Sequence, residues 1–139
     1  MSNKAEILVI GATGFIGRRL VAALLEQGFS LRCLTRREGH DWPQGAQAFK
    51  GDLLQPETLN AALTGVDTAY YLAHSMGEQG RFADKERQAA ENFVATAEKA
   101  GLRRAIYLSG LGGEEEALSE HLTSRREVAR ILNAAPFKT

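Results

Sequence analysis

The stretch LVIGATGFIGRRL, Leu8 to Leu20, decides the fold, because it sets three glycines between an apolar run and a helical stripe. The residues before the first glycine, Ala5 to Ile10, are continuously apolar apart from Glu6, the pattern of a strand covered on both faces. The residues after it, Phe15 to Gln27, carry Ile16, Leu20, Ala23 and Leu24 at helical spacing and stop at Gly28. Gly11, Gly14 and Gly17 therefore lie on a strand-to-helix turn. There the first glycine permits a tight turn, the second lets a pyrophosphate approach the backbone, and the third lets the helix pack on the strand. The backbone N–H groups of Thr13 through Gly17, including Phe15 and Ile16, would face the phosphates, helped by the positive end of the helix dipole. A merely flexible turn would not need three glycines at this register.

The pattern repeats outward from that turn. Further strands are expected at Ser30–Thr35, Ala46–Lys50, Asp67–Ala73 and Arg104–Ser109. Further helices are expected from Pro56 to Gly65, over Arg81–Ala100 and over Leu118–Ala135. In the long helix Phe82, Ala89, Phe93, Val94 and Ala97 form the apolar side; in the last, Leu122, Val128, Leu132 and Ala135 do. Five strands alternating with crossover helices imply an α/β, doubly wound parallel sheet in three αβα layers, with strand order 3-2-1-4-5. Ligands in such sheets sit at the carboxyl ends of the strands where the order reverses, here between the first and the fourth. Leu72, Ala73 and His74, at the end of the fourth strand, are expected to line that crevice.

Bulk composition narrows the function further. With 139 residues, 44% of them hydrophobic and 24% charged, the chain reads as one domain, able to bury a core without cross-links. Seventeen basic residues balance seventeen acidic ones, which argues against nucleic acid or an anionic membrane as a partner. The single Cys33 cannot form an internal disulfide and fits a reducing cytoplasm. No signal peptide or membrane span is legible, and no metal centre is expected.

The end of the second strand chooses the nucleotide. An acidic residue there would hold ribose hydroxyls, and a basic one a 2′-phosphate. The sequence reads Leu34-Thr35-Arg36-Arg37, with Arg18 able to add charge nearby. A guanidinium offers a planar, permanently charged fork to phosphate, so NADP(H) is expected in preference to NAD(H), which remains possible. The alternative is that Arg36 and Arg37 are solvated loop charges.

The motif GATGFIG, together with KGDLLQPETL, VDTAYYLAHS, AAENFVATAEKAGLRRAIYLSGLG and HLTSRREV, resembles the short-chain dehydrogenase/reductase superfamily. It is most similar to the extended and atypical branches, the epimerase/dehydratase-like and NmrA-like proteins, from Ile7 to about Leu132. The resemblance implies a Rossmann-type fold and places Asp52 and Leu53 on the adenine, the carboxylate accepting from its amino group; Asp52 could equally cap a turn before Pro56. It also implies chemistry at a serine ending the fifth strand and at a Tyr-x-x-x-Lys pair on the next helix. Ser109 stands at the serine place, His121 at the tyrosine place and Arg125 at the lysine place, with the same four-residue step. None of Tyr70, Tyr71 and Tyr107 precedes a lysine by four. Arg125 could still bind ribose and pyrophosphate, but its charge would lower the pKa of His121 and weaken it as an acid. His74 is a second proton-transfer candidate.

Glu114, Glu115 and Glu116 form either a solvated loop or a lid over the site. Trp42 and Cys33 are assigned no role in the chemistry. The similar proteins continue into a further strand and a small substrate region, whereas this sequence stops at NAAPFKT. The fifth strand is therefore expected to have nothing beyond it, as a piece of a longer protein or one covered by a partner chain, a second copy included. Two functions stay open: an NADP-dependent oxidoreductase or isomerase acting on an unknown small molecule, and a non-catalytic NADP(H) sensor or assembly module.

Overall fold

The computed structural model describes residues 6–37, 41–72, 82–108 and 120–139, without the side chains of Phe82, Glu120, His121 and Leu122. The chain runs β1 (Ile7–Ile10), α1 (Phe15–Glu26), β2 (Leu31–Thr35) and β3 (Ala46–Lys50). A 3-10 turn, Pro56–Leu59, then leads into the short α2 (Asn60–Leu63), followed by β4 (Thr68–Tyr71), α3 (Phe82–Ala100), β5 (Arg104–Tyr107) and α4 (Glu120–Asn133). Among the described residues the sheet order is β3-β2-β1-β4-β5, all parallel, as the alternation of elements predicts. β1 lies at the centre, Ile10 standing opposite Leu34 on one side and Tyr71 on the other. Pro56 opens a 3-10 turn rather than an α-helix from its first residue, which suits a segment too short to extend α-geometry.

The period-two alternation of the strands divides the core. Ile7, Val9, Leu31 and Cys33 face α1, where Val21 and Leu24 complete a cluster. Leu8, Ile10, Leu34, Ala69, Tyr71 and Ala105 face the other helical layer, against Ala90, Phe93 and Ala97 of α3 and Val128 and Leu132 of α4. Ala89, expected on the apolar stripe of α3, is only half-buried; the register instead buries Ala90. The Tyr71 and Phe137 rings pack against Phe93 at centroid distances of 5.1 and 6.2 Å.

Two features depart from expectation. The outer edge of β5 is not bare, because the chain turns back after α4 and buries Phe137 in the core. Lys138 then pairs in parallel with Arg104. The Ala105 N–H donates to the Lys138 carbonyl at 2.8 Å, and the Lys138 N–H to the Arg103 carbonyl at 3.2 Å. Burial of Phe137 supplies the anchor that the sequence pattern did not reveal. The other departure is a loss of cover. α1 packs on β1 and β2, so on its side of the sheet Ile106 and Leu108 remain substantially exposed.

Arg32, the second residue of β2, ties the sheet to α2. Its Nε meets the Glu6 carboxylate at 3.0 Å, and its Nη1 donates to the carbonyls of Ala61, Ala62 and Thr64 at 3.0, 3.2 and 2.6 Å. The guanidinium also lies 5.0 Å from the Phe49 ring centroid. One cation thus satisfies the last carbonyls of a helix too short to cap itself. Replacing Arg32 with alanine leaves those carbonyls and Glu6 without their donor, and should cost about 2 kcal/mol of folding stability. Urea denaturation checks this; an unchanged midpoint would show that water replaces the guanidinium without loss.

Candidate functional site

The glycine turn sits at the carboxyl end of β1, where the sheet order reverses between β1 and β4. Gly11 has φ +90°, and a Cβ there would stand 2.9 Å from the carbonyl carbon and oxygen of Leu72. Leu72 itself extends the β1–β4 ladder, its N–H donating to the Ile10 carbonyl at 2.9 Å. A Cβ on Gly17 would collide with the Gly11 carbonyl oxygen, so α1 is seated directly on the turn. Gly14 is different. Among the described residues a Cβ there would meet only the Gly11 oxygen, at 3.4 Å, so its outer side is open to them.

Gly14 also serves as the N-cap of α1 without a side-chain hydrogen bond, and the first turn of the helix contains no acidic residue. The opening N–H groups of a twelve-residue helix are thus left facing outward beside an uncrowded glycine, an arrangement that receives an anion. Thr13, Phe15 and Ile16 are exposed around it, and Arg18 is exposed next to Gly17. The Arg19 guanidinium stacks 3.7 Å above the Phe15 ring and donates to the Phe15 carbonyl at 3.3 Å, holding that ring at the rim.

The end of β2 is shaped by Thr35, whose hydroxyl donates to the Arg37 carbonyl at 2.8 Å and accepts from the Arg37 N–H at 3.2 Å. This turn buries Thr35 and leaves Arg36 and Arg37 exposed. Among the described residues neither guanidinium has an acidic partner, and no carboxylate accompanies them on β2.

Asp52 closes a turn of its own after β3. Its Oδ1 accepts the Leu54 N–H at 2.9 Å, while its own N–H donates to Thr58 Oγ1 at 2.8 Å. The turn-capping role is therefore present in the geometry, and it occupies one carboxylate oxygen. Leu53 packs against the α3 side of the core.

Arg125 lies half-buried on α4. His121 falls in the first turn of the same helix, its side chain outside the described atoms. Ala73, His74, Ser109 and the Glu114–Glu116 run lie outside the described residues altogether. Of the expected site, the structure joins the glycine turn to Leu72 and sets the Arg36–Arg37 and Asp52–Leu53 segments at the carboxyl ends of neighbouring strands.

Near this end of the sheet, Glu86, Ser124 and Asn92 were not singled out in the sequence, and Tyr107 was weighed there only as a partner for a lysine. Glu86 on α3 is buried, and the Ser124 hydroxyl on α4 donates to its Oε2 at 2.7 Å. Tyr107, at the end of β5, packs edge-on to Tyr71 at 5.9 Å, within electrostatic reach of Glu86 and Arg125. Asn92 on α3 donates through Nδ2 to the Leu53 carbonyl at 2.7 Å. A usable signal did exist: Glu86 is in phase with Ala90, Phe93 and Ala97, and Ser124 with Val128 and Leu132. A polar residue on an apolar stripe requires a partner across the interface.

Burial pushes the Tyr71 phenol well above the ordinary tyrosine range, with smaller contributions from Tyr107 and Glu86. Burial first, and the Glu86 charge second, push Tyr107 up to about 12, against an opposing pull from Arg125. In the unfolded chain both phenols lose their protons near 10.0, while the folded chain retains them. Their contribution to stability is complete below pH 10 and is lost as pH rises toward 12. Denaturation midpoints should fall across that interval, and the Tyr71→Phe/Tyr107→Phe double variant should flatten the fall. Tyrosinate absorbance showing both phenols ionising near pH 10 in the native chain would contradict this.

The comparisons with known proteins agree with this geometry. A family model described as NAD(P)H-binding matches residues 11–136, and the chain belongs to that family. It is 48% identical over 66 residues to a photosystem II assembly factor, Ycf39, of Cyanophora paradoxa, covering 44% of this chain and 20% of that protein. It is 30% identical over 110 residues to an N-acetyl-alpha-D-glucosaminyl-diphospho-ditrans,octacis-undecaprenol 4-epimerase of Escherichia coli O157:H7, covering 76% and 32%. Among solved structures, a UDP-N-acetylglucosamine 4-epimerase from Bacillus cereus matches with a TM-score of 0.76 at 25% identity, over 94% of this chain and 50% of that one. The chain spans between 20% and 36% of the length of the curated relatives named or found alongside these. It is an NAD(P)H-binding domain of Rossmann type, related to the atypical short-chain dehydrogenase/reductase proteins.

Proposed function

We propose that residues 1–139 form the dinucleotide-holding domain of a cytoplasmic oxidoreductase or epimerase of the atypical short-chain type, and that it takes NADP(H) in preference to NAD(H). The observation that carries the reading is the glycine turn. Its outward N–H groups, uncrowded Gly14 and lack of a first-turn carboxylate fit a pyrophosphate. The exposed Arg36 and Arg37, with no acidic partner among the described residues, support the choice of nucleotide, because a 2′-phosphate gains a charge-assisted fork there. In the curated relatives the matched segment is between 20% and 36% of the protein, and in this reading the reacting small molecule is assigned to the remainder of such a longer protein.

In this reading the α1 N-terminus and Arg18 hold the pyrophosphate, Asp52 and Leu53 the adenine, and Leu72, Ala73 and His74 the crevice floor. Arg125 holds ribose hydroxyls, and Ser109 and His121 stand nearest the reacting carbon. The bound nicotinamide supplies hydride acceptance or donation. The chain's own contribution is to orient it and to hold a proton at His121.

A second reading is favoured by one observation: the tyrosine and lysine places hold His121 and Arg125, which removes the phenol from the usual position. The protein would then bind NADP(H) as a sensor or assembly module, as the likeness to an assembly factor suggests. Calorimetric titration separates these ideas in two stages. NADPH should bind at least tenfold more tightly than NADH, and Arg36→Ala should abolish most of that difference; equal affinities would overturn the 2′-phosphate reading. In the longer protein, His121→Ala should suppress turnover with cofactor affinity unchanged. Absence of any turnover to lose would establish the module.

A further inference from the structure

Asn92 stands out because its side chain crosses from one element to another and the proposed chemistry does not use it. It lies in the middle of α3, and its Nδ2 donates to the Leu53 carbonyl at 2.7 Å, 39 residues earlier in the chain. Its amide is oriented rather than free to flip, since Gln88 Nε2 donates to Asn92 Oδ1 at 2.9 Å from one turn before. The helix continues undisturbed beyond it, with Thr96 donating back to the Asn92 carbonyl at 2.9 Å.

The turn that Asn92 holds is otherwise self-contained. Asp52 Oδ1 accepts the Leu54 N–H, and Thr58 Oγ1 accepts the Asp52 N–H at 2.8 Å and donates to the Gln55 carbonyl at 2.7 Å. These bonds fix the shape of the turn and not its position relative to α3. Leu54 is exposed, while Leu53 and Leu59 pack non-directionally against the α3 side of the core. The Asn92 bond is the polar link, among the described residues, that adds direction to that packing. It leaves Asp52 Oδ2 without a partner among the described residues. We propose that Asn92, oriented by Gln88, is the positioning residue for the adenine end of the site. By fixing the Leu53 carbonyl it aims the Asp52 carboxylate at the exocyclic amine of the base.

The inference rests on the reading of Asp52 as the adenine acceptor. Its test is a comparison of NADPH with its hypoxanthine counterpart, in which a carbonyl replaces the 6-amino group. The wild-type chain should prefer the adenine form, because a carboxylate accepts from an amine and repels a carbonyl oxygen. Asn92→Ala should reduce that preference several-fold, and Asn92→Gln should restore part of it, while pyrophosphate-dominated binding of the hypoxanthine form changes little. Equal loss of both affinities would reduce Asn92 to a structural residue and overturn the proposal. Full retention of the preference in Asn92→Ala would overturn it as well, with the Asp52 reading intact. Absence of any preference in the wild-type chain would overturn the Asp52 reading and the positioning role together.

Discussion

The fold depends on one close approach. α1 is seated so tightly on the turn that precedes it that no side chain fits at Gly17 against the Gly11 carbonyl. On the opposite side, Gly11 lies against the backbone of Leu72 at the end of β4. The turn is therefore pressed between the helix that follows it and a strand that comes about 60 residues later. That compression brings the N-terminus of α1 over the reversal point of the sheet. Of the three glycines of the turn, Gly14 is the uncrowded one among the described residues, and it is also the helix cap, an arrangement suited to an anion. Site and fold share one constraint, so a sequence able to build the first is largely committed to the second.

Much of this was legible before any coordinates. The order β3-β2-β1-β4-β5 follows from the alternation of apolar runs and helical stripes, and the three glycines announce which turn is compressed. Legibility failed where a long-range contact decides. Phe137 and Lys138 read as an irregular tail after Pro136, yet burial of one ring lets the other residue pair with β5. Arg32 reads as an isolated charge in a strand, and its meaning appears only once α2 is beside it. Asp52 has two compatible roles in the sequence; the structure displays the turn cap and leaves for the ligand role one oxygen without a partner among the described residues.

The second helical layer carries a different lesson. α3 and α4 form the principal helix–helix contact, and within it Glu86 and Ser124 make a buried hydrogen bond near Tyr71 and Tyr107. Buried polar pairs of this kind fix how two helices register, because sliding either one leaves a carboxylate unsatisfied. The pair sits one residue from Arg125, which ties the placement of that cation to the packing of the whole layer. On the α1 side, by contrast, Ile106 and Leu108 face outward.

The central claim is that the glycine turn is where a dinucleotide pyrophosphate rests. Backbone amide chemical shifts during titration with NADPH test it most directly. The account predicts the largest changes at Thr13 through Gly17, with Leu72 following through its contact with Gly11. Saturable binding whose changes cluster elsewhere, with those six amides unmoved, would contradict it.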